Sequence, residues 1–255
     1  MSLIKKITFN RNNQHGFPYD LSFFNETISL ENVNIIVGEN GSGKSTFLEL
    51  LSQKLNLYQI GTPLILPKAV DIDITFRLNK PKGFYFSSED FTSYIQQLKT
   101  QKEEAKNRLK EIDIEYNDKS LFSKQQAKSA YLKTIFEINN LYQKDLLTSS
   151  HGEAYLSFFK SRIKPNQLYV LDEPETPLSF DNQLALMYLI HEAIKDGSQF
   201  IIATHSPVLC AFPDAKIFEL THEQLLQTPY ESLTHIQSLK DFLNDPKRFF
   251  HQLFK

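Results

Sequence analysis

The stretch GENGSGKST, residues 38–46, constrains this chain more than any other. It fits the pattern G-x-x-x-x-G-K-[ST], with Gly38, Gly43, Lys44 and Ser45 in the fixed places. An apolar, β-branched run (33–38) precedes it, and a helical apolar pattern (45–55) follows. The loop therefore joins a buried strand to a helix. Glycines at 38, 41 and 43 let the backbone turn sharply, so that successive N–H groups face phosphate oxygens. The positive end of the following helix faces the same phosphates. Gly38, Asn40, Gly41, Ser42, Gly43, Lys44, Ser45 and Thr46 are thus the expected nucleotide-binding residues. Lys44 is expected on the β- and γ-phosphates, and the Ser45 hydroxyl on Mg²⁺.

Two later stretches complete a reaction centre. The strand pattern NQLYVLDEP (166–174) delivers Asp172 to the carboxyl edge of a sheet, where ligands of open α/β sheets bind. Asp172 is placed to hold Mg²⁺ beside Ser45, through water. Glu173, pointing elsewhere, suits a base that polarises an attacking water. QFIIATHSP (199–207) sets His205 just past another buried strand, about thirty residues after Glu173, within reach of a γ-phosphate or that water. Glu173, His205 and Lys44 form the expected catalytic set.

Strands separated by helices imply a mostly parallel sheet and an α/β fold. Further strands are expected at 3–9, around Asp20–Phe24, and at 69–78, 83–90 and 216–221. Helices are expected at 181–197 and 238–254. The aromatic tail, with Phe242, Phe249, Phe250 and Phe254, is expected to pack on the body. Residues 91–148 differ, being charged and lacking Pro and Gly. Phe91, Ile95, Leu98, Lys102, Ala105, Leu109, Ile112 and Tyr116 recur at steps of four and three, and NDKS (117–120) reads as a turn. Tyr131, Leu132, Ile135, Ile138, Leu141, Tyr142 and Leu146 line a second apolar face. This is an antiparallel helical hairpin, serving either as a brace or as a partner-binding arm.

A net charge of −2 gives no global attraction to nucleic acid or to a membrane surface. The single Cys210 excludes an internal disulfide and fits a reducing cytoplasm. No apolar run reaches a membrane span, and MSLIKKITFN is a poor signal peptide. The remaining histidines show no ligand spacing.

The phosphate loop, VLDEP and ATHSP, in this order and spacing, resemble the nucleotide-binding domain of ATP-binding-cassette (ABC) ATPases. The fuller set GENGSGKSTFLE, SSHGE, LDEPETPLS, ATHSP and HIQSLKDFLNDPKRFFHQLF is similar to stand-alone AAA/ABC-type ATPases of bacteria, distantly related to SMC proteins. The resemblance implies one domain over 1–255, with an antiparallel β part near the N-terminus and 91–148 as a hairpin insertion. It implies ATP and Mg²⁺ as cofactors. It places a signature loop at SSHGE, with Ser150, Gly152 and Glu153 at matching positions and His151 departing. That loop caps ATP bound by a second copy, hence an ATP-dependent head-to-tail homodimer. Where the family carries a metal-facing Gln, this chain offers Glu89, and Tyr19 or Phe17 is the adenine-stacking ring. An unidentified protein partner is expected at the hairpin. The alternatives are a transporter subunit or a DNA repair or defence ATPase. The nucleic-acid reading rests on Lys99, Lys102, Lys106, Arg108 and Lys110, which are interleaved with acids.

Overall fold

A computed structural model of the chain describes residues 2–60, 70–140 and 151–254. The first part holds β1 (Ile4–Asn10), β2 (Thr27–Ser29), β3 (Val33–Val37), α1 (Lys44–Leu55), β4 (Tyr58–Ile60) and β5 (Asp71–Phe76). β6 (Gly83–Ser87) leads into α2 (Ser88–Glu115), followed by α3 (Leu121–Asn140) and α4 (His151–Arg162). Then come β7 (Leu168–Asp172), α5 (Phe180–Lys195), β8 (Gln199–Ala203), the one-turn α6 (Pro207–Cys210), β9 (Lys216–Leu220) and β10 (Leu225–Gln227). Helices α7 (Thr234–Asn244) and α8 (Pro246–Leu253) end the chain.

The main sheet has the order β10-β9-β3-β8-β7-β6-β4, and every pairing is parallel except that of β9 with β10. Every residue of β3, β7 and β8 is buried, as expected of strands covered on both faces. One core contains Ile36, Phe47, Leu51, Val170 and Ile201 and joins α1 to the small antiparallel sheet β2-β1-β5. The other contains Val37, Phe86, Leu171, Leu186 and Ile202 and lies under α4 and α5. One buried side chain bonds across the two sheets. Gln199 Oε1 accepts from the backbone N–H of Leu3 (3.0 Å) and Ile4 (2.8 Å), and its Nε2 donates to the carbonyls of Ile4 (3.0 Å) and Glu31 (2.8 Å). An amide with two donors and two acceptor lone pairs is fully used there.

Several expected elements shift. Residues 20–24 form a turn with a single bridge from Phe24 to Phe9, and the strand lies at 27–29 instead. The terminal helix is two helices, broken at Pro246, whose ring and missing N–H cannot continue a helix interior. The tail aromatics pack chiefly on one another: Phe242 lies against Phe249 and Phe250, and Phe250 stacks on Phe254, which is 80% exposed.

In the hairpin, Phe91, Leu98, Ala105 and Ile112 are buried, and Ile95, Lys102, Leu109 and Tyr116 are half-buried. Asp113 near the end of α2 pairs with Lys124 and Lys128 near the start of α3, so the two helices run antiparallel. On α3, Ile138 faces inward, but Leu132 is exposed. Leu141, Tyr142 and Leu146 lie outside the described residues.

Candidate functional site

The site forms at the carboxyl edge of the main sheet, where β3, β7 and β8 end side by side. The loop after β3 turns through Gly41 and Gly43, both with positive φ, into α1. A Cβ on Gly43 would lie 2.9 Å from the Leu21 side chain, so the 17–21 segment presses against this loop. A Cβ on Gly38 would lie 2.1 Å from the Leu220 carbonyl oxygen, so the loop also needs close approach to β9. Asn40, Gly41 and Ser45 are exposed, Gly38, Gly43 and Thr46 are half-buried, and Ser42 is buried. Lys44 begins α1, and its buried ammonium donates to the carbonyls of Gly38 and Glu39, both at 2.9 Å. Burial lowers its pKa, against the pull of Glu173, Asp172 and Glu175.

Asp172 ends β7, in register with Ser87 of β6 and Ala203 of β8. The Ser45 hydroxyl bonds its carboxylate, and Tyr85 Oη donates to Oδ2 at 3.4 Å. Oδ1 is buried and has no hydrogen-bond partner among the described residues. Burial, opposed by the Ser45 bond, pushes Asp172 up to about 6. A hydroxyl beside a carboxylate with one unsatisfied buried oxygen fits a hard divalent cation.

Beyond Asp172 the chain turns sharply. Glu173 has φ 46°, a left-handed conformation costly for a side chain other than glycine, and its N–H donates to the Ala203 carbonyl at 2.9 Å. Its Oε1 lies 3.6 Å from His205 Nε2, and both side chains are partly exposed. Burial, then the Lys44 charge, lower the His205 pKa, and Glu173 opposes them. Together these favour the neutral imidazole over the charged one.

Lys44, Ser45, Asp172, Glu173 and His205 thus come together from three separate strand ends. Ser150 lies outside the described residues, and Gly152 and Glu153 fall in the first turn of α4. Glu89 is exposed in the first turn of α2, whereas the charge of its neighbour Asp90 adds to that of Asp172 on Glu49 and Tyr85. Phe17 is 67% exposed, whereas Tyr19 packs on Phe24 at 5.4 Å. Two acids escape a reading of the sequence. Glu49 is buried in α1 and pushed up to about 7 by burial and by Asp172 and Asp90. Glu175 accepts from the N–H of His205 at 2.8 Å and of Ser206 at 3.2 Å. Only the extra acid in DEPE hints at the second.

A family model described as "ABC transporter" matches residues 21–176. A second, whose description names an AAA domain, the AbiEii toxin and a type IV TA system, matches residues 153–211. No curated protein matches the chain. Among solved structures, MJ1267, an ATP-binding cassette of an ABC transporter, aligns at 15% identity over 97% of each chain with a TM-score of 0.51. A nucleotide-free ATP-binding cassette from an ABC transporter aligns at 15% identity over 96% of each chain with a TM-score of 0.48. The Smc head domain of Pyrococcus furiosus with an extended coiled coil, bound to the C-terminal domain of ScpA, aligns at 14% identity over 97% of this chain and 100% of that one, at 0.47. At 15% identity the MJ1267 match speaks to the fold alone. Since the first family model spans more than half of the residues and the same span folds into this sheet edge, the chain belongs to the ABC family of ATPase domains.

Proposed function

We propose that this chain binds and hydrolyses ATP with Mg²⁺, and that two copies close head to tail around the nucleotide and move their hairpins. The carrying observation is the convergence of Lys44, the Ser45–Asp172 pair and the Glu173–His205 pair at one edge. Ser45 and Asp172 would hold Mg²⁺, which when bound supplies positive charge against the phosphate oxygens. Lys44 adds a second positive charge there. Glu173 accepts a hydrogen bond from the attacking water and orients it in line with the γ-phosphorus. The P–O bond to ADP breaks as the water oxygen bonds, and the products are ADP and phosphate. Neutral His205 fixes Glu173 and the water. Phe17, exposed four residues before the Leu21 side chain that lies against Gly43, stacks on adenine.

The dimer reading extends the family resemblance at SSHGE, with Ser150, Gly152 and Glu153 facing the other copy's ATP. The cytoplasm suits such an ATPase, and among the described residues no helix is long and apolar enough to cross a membrane. A protein partner at the hairpin is favoured by Ile114, Leu121 and Phe122, all exposed near its tip. A DNA-binding arm is less well supported, because Lys106 pairs with Glu103 and Arg108 with Glu111 and Glu115.

Steady-state turnover of Glu173→Gln tests the chemistry. Removing the base is expected to cost at least about 10²-fold in kcat while ATP still binds. Turnover at the native rate would refute the assignment. Light scattering of the same variant with ATP should report twice the monomer mass, and a monomer throughout would remove the shared site.

A further inference from the structure

Glu175 has no role in the chemistry above, yet it touches the loop that carries the histidine. Its side chain leaves the acidic loop after β7 and closes on the turn after β8. Oε1 accepts from His205 N and Ser206 N, and the Thr204 hydroxyl adds a further bond. Oε2 is buried and has no partner among the described residues. The Ser206 end of the turn is also held by α6, whose Val208 N and Leu209 N donate to Ser206 Oγ and whose Cys210 N donates to the Ser206 carbonyl. Thr204 N donates to the Ile36 carbonyl, and Ser206 N also reaches Thr204 Oγ1 at 2.9 Å. Among the described hydrogen bonds, the His205 N–H is held by Glu175 alone.

The same turn is tied onward. Ser206 Oγ donates to Gln183 Oε1 at 2.6 Å, and Gln183 Nε2 donates to the Leu178 carbonyl at 3.2 Å. The acidic loop, the histidine turn and the start of α5 therefore form one hydrogen-bonded unit. A carboxylate accepting backbone N–H groups makes charge-assisted bonds, stronger than neutral ones. Such a grip sets the histidine backbone and, through it, the approach of the imidazole to Glu173.

The geometry points to Glu175 as a positioning residue for hydrolysis, holding the backbone at 204–206 so that His205 stays against Glu173. The inference rests on the reading of the site given above. A misplacement of about 1 Å at a reacting group can cost on the order of 10²-fold in rate, so losing this grip acts on kcat. The side-chain hydrogen bonds of Glu175 reach 204–206 and not the phosphate loop, and its charge is the weakest of the three acids acting on Lys44, so ATP affinity is expected to change little.

The test is a double-mutant cycle with His205→Ala, read by steady-state turnover and by binding of a fluorescent ATP analogue. Glu175→Ala is expected to lower kcat by about 10-fold or more, with analogue affinity within about twofold of native. Glu175→Gln keeps an oxygen acceptor and is expected to restore most of kcat. In the His205→Ala background, Glu175→Ala is expected to add no further loss. Native kcat in Glu175→Ala, or an equal loss with and without His205, would overturn the inference. If Glu175→Ala does not fold, Glu175→Asp takes its place. It keeps the charge but withdraws it by one methylene, and native kcat there is equally fatal. Native turnover in Glu173→Gln refutes the site itself. A dead Glu173→Gln beside a fully active Glu175→Ala refutes only the role of Glu175.

Discussion

The buried acids beside the phosphate loop behave unlike surface carboxylates. Glu49 is raised from 4.5 to about 7, first by burial and then by the charges of Asp172 and Asp90. Between those pH values the folded chain keeps a proton that the unfolded chain has released. The stabilisation from Glu49 is therefore complete below about pH 4.5 and is lost as pH rises through about 7. Glu49→Gln, which cannot ionise, is expected to gain Tm over the native protein as pH goes from 5 to 8. Thermal melts without nucleotide check this, and a constant difference across that range would contradict it. If Phe17 stacks on adenine as proposed, Phe17→Ala weakens ATP binding by about 1–3 kcal/mol, the range measured for base–aromatic stacking. Titration calorimetry with ATP reads that loss, and Tyr19→Phe should bind as the native chain does. The sequence already marks Lys44, Ser45, Asp172, Glu173 and His205, because each sits at a fixed step from a strand end. Glu49 is invisible there and Glu175 is only hinted at by the extra acid in DEPE, since their partners lie about thirty or more residues away.

At the scale of elements, periodicity carries far where the elements are long. The four-and-three seam of α2 matches the burial of its residues, because a helix packed along one stripe repeats its contacts. Short strands leave no period to read. β4 and β10 have three residues each and owe their place to neighbours in the sheet. The 20–24 stretch looks β-like because its Phe23 and Phe24 are core residues, but they reach the core from a turn. Leu132 is apolar and next in sequence to Tyr131, yet it is exposed, and the inward side of α3 carries Tyr131, Ile135 and Ile138. The junction between the sheets gives a sharper prediction. Gln199→Leu strips partners from Leu3, Ile4 and Glu31, and each unsatisfied buried group costs about 1–3 kcal/mol. Chemical denaturation is expected to show a loss of about 3 kcal/mol or more. A loss under about 1 kcal/mol would mean that water replaces the amide there.

For the whole molecule, the order of the sheet explains which parts are expendable. Strands β3, β7 and β8 are adjacent, so the loops that follow them meet without any long excursion. Helix α8, by contrast, makes its main contacts with α7. Ending the chain after Asn244 is expected to leave Tm within about 3 °C, a change of under about 1 kcal/mol, and to leave ATP binding intact. A cooperative unfolding shift of about 10 °C would place α8 in the core instead. The root of the hairpin holds the last consequence. Helix α2 starts at Ser88, one residue after Ser87, which pairs with Asp172, and it runs 28 residues without a break. At 1.5 Å per residue that is a rigid rod of about 42 Å. Each degree of tilt at the carboxylate then sweeps the far end through about 0.7 Å, so a reorientation too small to see at the phosphate becomes several ångströms at Lys119.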